Sequence, residues 1–109
     1  MIFETTVEDL SARLRRGDHV WVLDVREPHE VDICRIAGST VIPLNQLPNR
    51  LAEIPQGPDA PDVVIHCKMG GRSAKATNLL RDRGFTRIQN LKGGILAWID
   101  RIDPSQTKY

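Results

Sequence analysis

The sequence predicts a parallel, doubly wound α/β sheet flanked by helices on both faces, folded as one domain over residues 1–109. Three observations carry this reading. Short, largely apolar, β-branched runs of strand length recur at "HVWVLDV" (19–25), "STVIPL" (39–44), "VVIH" (63–66) and "TRIQNL" (86–91). Helical patterns stand between several of them, and strands that alternate with helices pair in parallel through crossovers. Pro and Gly clusters such as "QGPDAPD" (56–62) punctuate the runs as loops.

The elements follow in order. A short extended segment at "IFETT" (2–6) adds an edge strand. Val7, Leu10 and Leu14 share one face of a first helix, with Thr6 as N-cap, Asp9 in the first turn and Gly17 as its end. The strand at 19–25 is interrupted near its end by Asp24, and "REPHEVDICRIAGS" (26–39) reads as irregular, with one helical turn after Pro28. After the strand at 39–44, "NQLPNRLAEIP" (45–55) suggests a short helix leaving at Pro55. "RSAKATNLLRDRGF" (72–85) is helical, with Ala76, Leu79 and Leu80 inward and Gly84 as stop. "GILAWIDRI" (94–102) is the last helix, closed off by Pro104. Trp21 and Trp98 read as core or half-buried packing.

Composition excludes several classes of function. At 109 residues and 40% apolar content, the chain can bury a core without staples. Fifteen Lys and Arg against fourteen Asp and Glu leave a net charge of +1, so there is no broad basic face for nucleic acid. No apolar run reaches membrane-spanning length, and "MIFETTVEDL" lacks a signal-peptide layout, so a cytoplasmic location is expected. Cys34 and Cys67 are the two cysteines, without a CxxC pair or clustered histidines, so no metal site is expected. In a reducing compartment both are expected as free thiols.

"IHCKMGGRS" (65–73) is the stretch that carries chemistry. Ligands of open α/β sheets bind beyond the carboxyl ends of the strands, and Cys67 stands there. Gly70 and Gly71 allow the backbone N–H groups to turn inward, the next helix begins near Arg72, and Lys68 and Arg72 add cations. Such surroundings favour thiolate over thiol. A cysteine at a strand end is by itself inert packing. The strand end, glycine pair, Arg72 and helix start together make Cys67 the candidate nucleophile.

The chain resembles the rhodanese-like sulfurtransferases over nearly its whole length. The resemblance rests on "LDVREPHE" (23–30), "RIAGSTVIPL" (35–44), "HCKMGGRSA" (66–74), "GF" (84–85) and "LKGGILAW" (91–98), in the family's order. It implies a rhodanese-like fold, a five-stranded, mainly parallel sheet flanked by helices. Cys67 matches the sulfur-carrying cysteine, and residues 67–72 match the active-site loop. Cysteine-dependent phosphatases carry HC-x5-R-[ST]; here four residues separate Cys67 from Arg72, one fewer. A phosphate needs a cradle for a tetrahedron of oxygens, whereas a persulfide adds one sulfur, so the shorter loop points to sulfur.

"NLKGGILAWIDRIDPSQTKY" (90–109) and "VDICRIAGSTVIPL" (31–44) look like the C-terminal domain of two-domain adenylyltransferase/sulfurtransferases of molybdopterin, thiamine or related pathways. The chain reads as an excised domain of that kind or a free-standing relative. The resemblance implies a persulfide on Cys67, with Lys68, Met69, Gly70, Gly71, Arg72 and Ser73 contacting the substrate. It implies thiosulfate or a cysteine desulfurase persulfide as donor, an adenylated ubiquitin-like sulfur carrier protein as acceptor, and no cofactor. A small cysteine-dependent phosphatase or arsenate reductase-like enzyme, and a noncatalytic binding module, are the alternatives.

The neighbouring residues have readings of their own. Asp24 either orients the loop or Arg72, or makes a buried structural hydrogen bond. Arg26 reads as a local ion pair with Glu30. His66 alternates to the face opposite Cys67 and is structural. Cys34 is an ordinary free thiol rather than a resolving partner for Cys67. "LKGG" (91–94) is a tight turn into the last helix, since no GK[ST] follows.

Overall fold

A computed structural model describes residues 3–109. Its centre is a five-stranded sheet, every ladder of which is parallel. The strands are β1 (Glu4–Thr5), β2 (Val20–Asp24), β3 (Thr40–Val41), β4 (Asp62–His66) and β5 (Ile88–Leu91), in spatial order β1-β5-β4-β2-β3. The helices are α1 (Val7–Arg16), α2 (Pro28–Val31), α3 (Gly71–Asp82) and α4 (Gly94–Arg101). Ile2, expected in the edge strand, lies outside the described residues.

Alternation along the strands sorts the core into two layers. Leu23, Val63, Ile65 and Ile88 face a layer with Ala76 and Leu80 of α3, together with Leu47 and Ile54. Val22 and Val64 face the other layer, built with Val7 and Leu10 of α1 and Ile95, Trp98 and Ile99 of α4. Cys67 belongs to the α3 layer and Cys34 to the α1/α4 layer, and both thiols are free.

Local chemistry explains where the elements depart from the expected ranges. Thr6 caps α1, its hydroxyl accepting the Asp9 N–H at 3.1 Å. The segment 45–55 does not form an α-helix but two 3-10 pieces, Leu44–Asn49 and Leu51–Glu53. Pro48 lies inside the first and has no N–H to continue a helical ladder. The β3 ladder is shorter than the apolar run at 39–44, because Pro43 removes a donor just after it. Single bonds from the Ile42 N–H to the Asp24 carbonyl and from the Leu44 N–H to the Val25 carbonyl still bind that run to the end of β2.

A buried charge pair closes the carboxyl end of β2. Asp24 and Arg26 are both 0% exposed. The Asp24 carboxylate accepts from Arg26 Nε at 3.0 Å and Nη2 at 2.7 Å. Arg26 Nη2 also donates to the Cys34 carbonyl at 2.8 Å. The expected Arg26–Glu30 ion pair is therefore corrected: Arg26 reaches only the Glu30 backbone carbonyl, at 3.3 Å, because Asp24 already holds its guanidinium. A buried pair of this kind is costly to break on one side, since the survivor keeps its desolvation penalty. Asp24→Ala is expected to cost about 3–5 kcal/mol, read as a lowered midpoint in urea unfolding.

Candidate active site

The site is the turn between β4 and α3. β4 delivers Cys67 at its carboxyl end, and α3 starts four residues later at Gly71. Cys67 is 2% exposed, yet its sulfur is surrounded by donors. The Gly70 N–H donates to Sγ at 3.1 Å and the Ser73 N–H at 3.4 Å, while the Ser73 hydroxyl stands 3.3 Å away. Burial pushes the thiol up, but the Ser73 hydroxyl and the N–H groups of Ser73, Gly70 and Met69 outweigh it. The net shift is downward, towards thiolate.

The orientation of the loop's peptides is imposed from outside it. The Cys67 carbonyl accepts the Ile95 N–H at 2.9 Å, and the Lys68 carbonyl accepts the Leu96 N–H at 3.2 Å. Both donors lie in the first turn of α4, where N–H groups lack helical partners. In a trans peptide the N–H points opposite to its carbonyl, so the N–H groups of Lys68 and Met69 are turned away from α4. The close approach requires Gly94. Its φ is +59°, and a Cβ there would stand 2.5 Å from the Lys68 carbonyl oxygen and 2.6 Å from that of Cys67. The sequence reading took "LKGG" as a turn only. The signal for more was a second glycine where one would serve a tight turn.

Each predicted site residue has a definite place. Gly70 has φ +121°, a conformation that favours glycine. Gly71 has no positive φ and open space where a Cβ would be, so the loop uses the freedom of one glycine of the pair. Met69 is 69% exposed at the outer edge of the loop. Arg72 does not donate to Sγ; its guanidinium grips the Glu30 carboxylate through Nη1 at 2.6 Å and Nη2 at 2.8 Å. That grip holds the Glu30 carboxyl well below the usual carboxylate range. A shallow groove lined by Val25, Glu27, Leu44, Asn45 and Arg72 runs alongside.

Asp24 does not touch Arg72 or the loop. It serves the buried hydrogen bonds to Arg26 and lies 3.6 Å from His66 Nε2. Burial pushes His66 down, so the ring is neutral and donates from Nδ1 to the Cys67 carbonyl at 3.3 Å. Tyr109, which the sequence did not single out, stands against this network. Its hydroxyl accepts from Arg26 Nη1 at 3.1 Å and donates to Glu30 Oε2 at 2.7 Å. Only the fold brings residue 109 here. Among the described residues no three His, Cys, Asp or Glu side chains gather as a metal site.

An open parallel sheet with a cysteine cradled by N–H groups at a strand's carboxyl end is an arrangement suited to holding anionic sulfur or an oxyanion on a loop. The chain belongs to the rhodanese-like domain family, whose pattern matches residues 6–101. It is 39% identical over 98 residues to a sulfurtransferase of Allochromatium vinosum, covering 90% of this chain and 89% of that one. It is 36% identical over 106 residues to a probable adenylyltransferase/sulfurtransferase, MoeZ, of Mycobacterium tuberculosis, covering 95% of this chain but 26% of that protein. The crystal structure of a rhodanese-related protein from Thermoplasma volcanium superposes with a TM-score of 0.80 at 31% identity, covering 92% of this chain and 93% of that one. No helix among the described residues is long and apolar enough to cross a membrane.

Two measurements check the site. The rate of Cys67 alkylation by iodoacetamide against pH is expected to have its midpoint below that of a free thiol, about 8.5. Ser73→Ala, which removes a donor to Sγ, moves that midpoint up, so less thiolate is present at neutral pH. Gly94→Ala forces the Lys68 and Cys67 carbonyls off the α4 terminus, and the expected result is a raised midpoint together with a lowered Tm.

Proposed function

We propose that this chain is a sulfurtransferase that carries sulfane sulfur as a persulfide on Cys67. The observation that carries the reading is the Cys67 sulfur within 3.1–3.4 Å of donors from Gly70 and Ser73, in a loop with four residues between Cys67 and Arg72. The Cys67 thiolate attacks the sulfane sulfur of a donor. A new sulfur–sulfur bond forms, the donor's own breaks, and the leaving group departs with the electron pair, as sulfite when thiosulfate is the donor. Backbone N–H groups of residues 68–72 then stabilise the charge on the outer sulfur, as an oxyanion hole would. Lys68 admits the anion and Met69 offers the partner an apolar contact. Arg72, through Glu30, holds the start of α3 in place. No metal or organic cofactor takes part.

The donor class is thiosulfate or a protein persulfide such as that of a cysteine desulfurase. The acceptor is either a thiophile, which takes the outer sulfur, or the adenylated C-terminal glycine of a ubiquitin-like sulfur carrier, an electrophile whose carbonyl the outer sulfur attacks as AMP leaves. The likeness to adenylyltransferase/sulfurtransferases favours the second. Two buried free thiols suit a reducing, cytoplasmic setting. Intact-mass measurement after brief exposure to thiosulfate is expected to show one added sulfur atom, removable by cyanide and absent from Cys67→Ala. If neither thiosulfate nor a desulfurase persulfide loads Cys67, the reading is wrong.

A further inference from the structure

The segment 103–109 after α4 is pinned to the loop before β3. Gln106 Oε1 accepts the Arg35 N–H at 2.8 Å, and Gln106 Nε2 donates to the Arg35 carbonyl at 2.8 Å. The same Nε2 also donates to Asp103 Oδ2 at 2.9 Å. This anchoring brings the Tyr109 ring to Lys68 of the active-site loop, whose ammonium lies 4.5 Å from the ring centroid. The hydroxyl, held between Arg26 and Glu30, sets the orientation of the ring.

The charges around the loop are unequal in availability. Arg26 is matched by Asp24, Arg72 by Glu30, and His66 is neutral. Lys68 has no carboxylate within 4.0 Å among the described residues; it has an aromatic face instead. A carboxylate would hold the ammonium by cancelling its charge. A ring face holds it through the quadrupole and leaves the charge free for an incoming anion.

We propose that Tyr109 is a positioning residue that seats Lys68 at the mouth of the Cys67 loop, making Lys68 the cation that selects small anionic reagents and donors. The sulfur donor in this statement rests on the sulfurtransferase reading; the seat itself does not, and can be tested without it. The probe is the pair iodoacetate, an anion, and iodoacetamide, its neutral counterpart. Each forms a sulfur–carbon bond to the Cys67 thiolate as iodide leaves, and peptide mass spectrometry resolves Cys67 from Cys34. The ratio of the two rates reports local charge and cancels changes in folding or thiol reactivity common to both.

Tyr109→Ala is expected to lower the iodoacetate-to-iodoacetamide ratio about two- to fivefold, the factor an exposed cation–π contact supports. Tyr109→Phe, which keeps the ring but loses the hydroxyl that orients it, lowers the ratio less than Tyr109→Ala does. Lys68→Ala lowers it, and the double variant falls no further than Lys68→Ala alone. A ratio unmoved by Tyr109→Ala, additive losses in the double variant, or a Cys67 that neither reagent reaches would each overturn the proposal. With thiosulfate as substrate, Tyr109→Ala raises KM more than it lowers kcat. A chain that shows the ratio changes but never loads sulfur keeps the seat and loses the sulfurtransferase reading.

Discussion

The site depends on one constraint of the peptide bond: a planar trans amide cannot turn its carbonyl and its N–H the same way. The first turn of α4 takes the carbonyls of Cys67 and Lys68, and the N–H groups on the same peptides are thereby directed away from it. A sulfur as buried as that of Cys67 would ordinarily resist ionisation, because desolvation disfavours the charged form. Donors from Gly70, Ser73 and Met69 reverse that preference. The helix lends its unsatisfied N–H groups, the loop lends its carbonyls, and both are satisfied in the exchange. Gly94 makes the approach feasible, since any side chain there would collide with the two carbonyls.

Around this centre the fold neutralises almost every charge it places near the sulfur. Asp24 and Arg26 close on each other at the end of β2, where neither reaches solvent. Through Arg26, that pair holds the Cys34 carbonyl and the Tyr109 hydroxyl. Glu30 gathers the Arg72 guanidinium and the same hydroxyl. Much of the structural support for the loop is thus charged yet electrically quiet. The distinction between a cation that braces and a cation that is available follows from its partner, a carboxylate for Arg26 and Arg72 and a ring for Lys68.

The family likeness is consistent with this economy. The chain matches the rhodanese-like domain over most of its length, yet spans about a quarter of the MoeZ protein it resembles. The features described are all internal to one domain: a strand end, a helix start, a second helix start and a returning segment. The hydrogen-bond donors to the Cys67 sulfur described above come from the turn between β4 and α3 and the start of α3.

Much of the fold was legible because its signals are local. The β-branched runs at 19–25, 63–66 and 86–91 became the parallel strands at 20–24, 62–66 and 88–91, Thr6 capped α1, and the alternation that set His66 opposite Cys67 held to the end of β4. The cysteine, its place at a strand's carboxyl end and the four-residue spacing to Arg72 were equally local. Partner choice among charges was not. The pairing expected for Arg26 and Glu30 gave way to Asp24, two residues from Arg26, and to Arg72, 42 positions from Glu30, because the short helix α2 and the start of α3 meet in space. The second glycine of "LKGG" and Tyr109 likewise gain meaning only against the loop at 67–72. The sequence by itself determined the layers, the nucleophile candidate and the loop length, all functions of neighbouring residues and period. Tertiary structure decided which donors face the sulfur and which cation is left uncancelled, because both depend on groups brought together by the crossovers of the sheet.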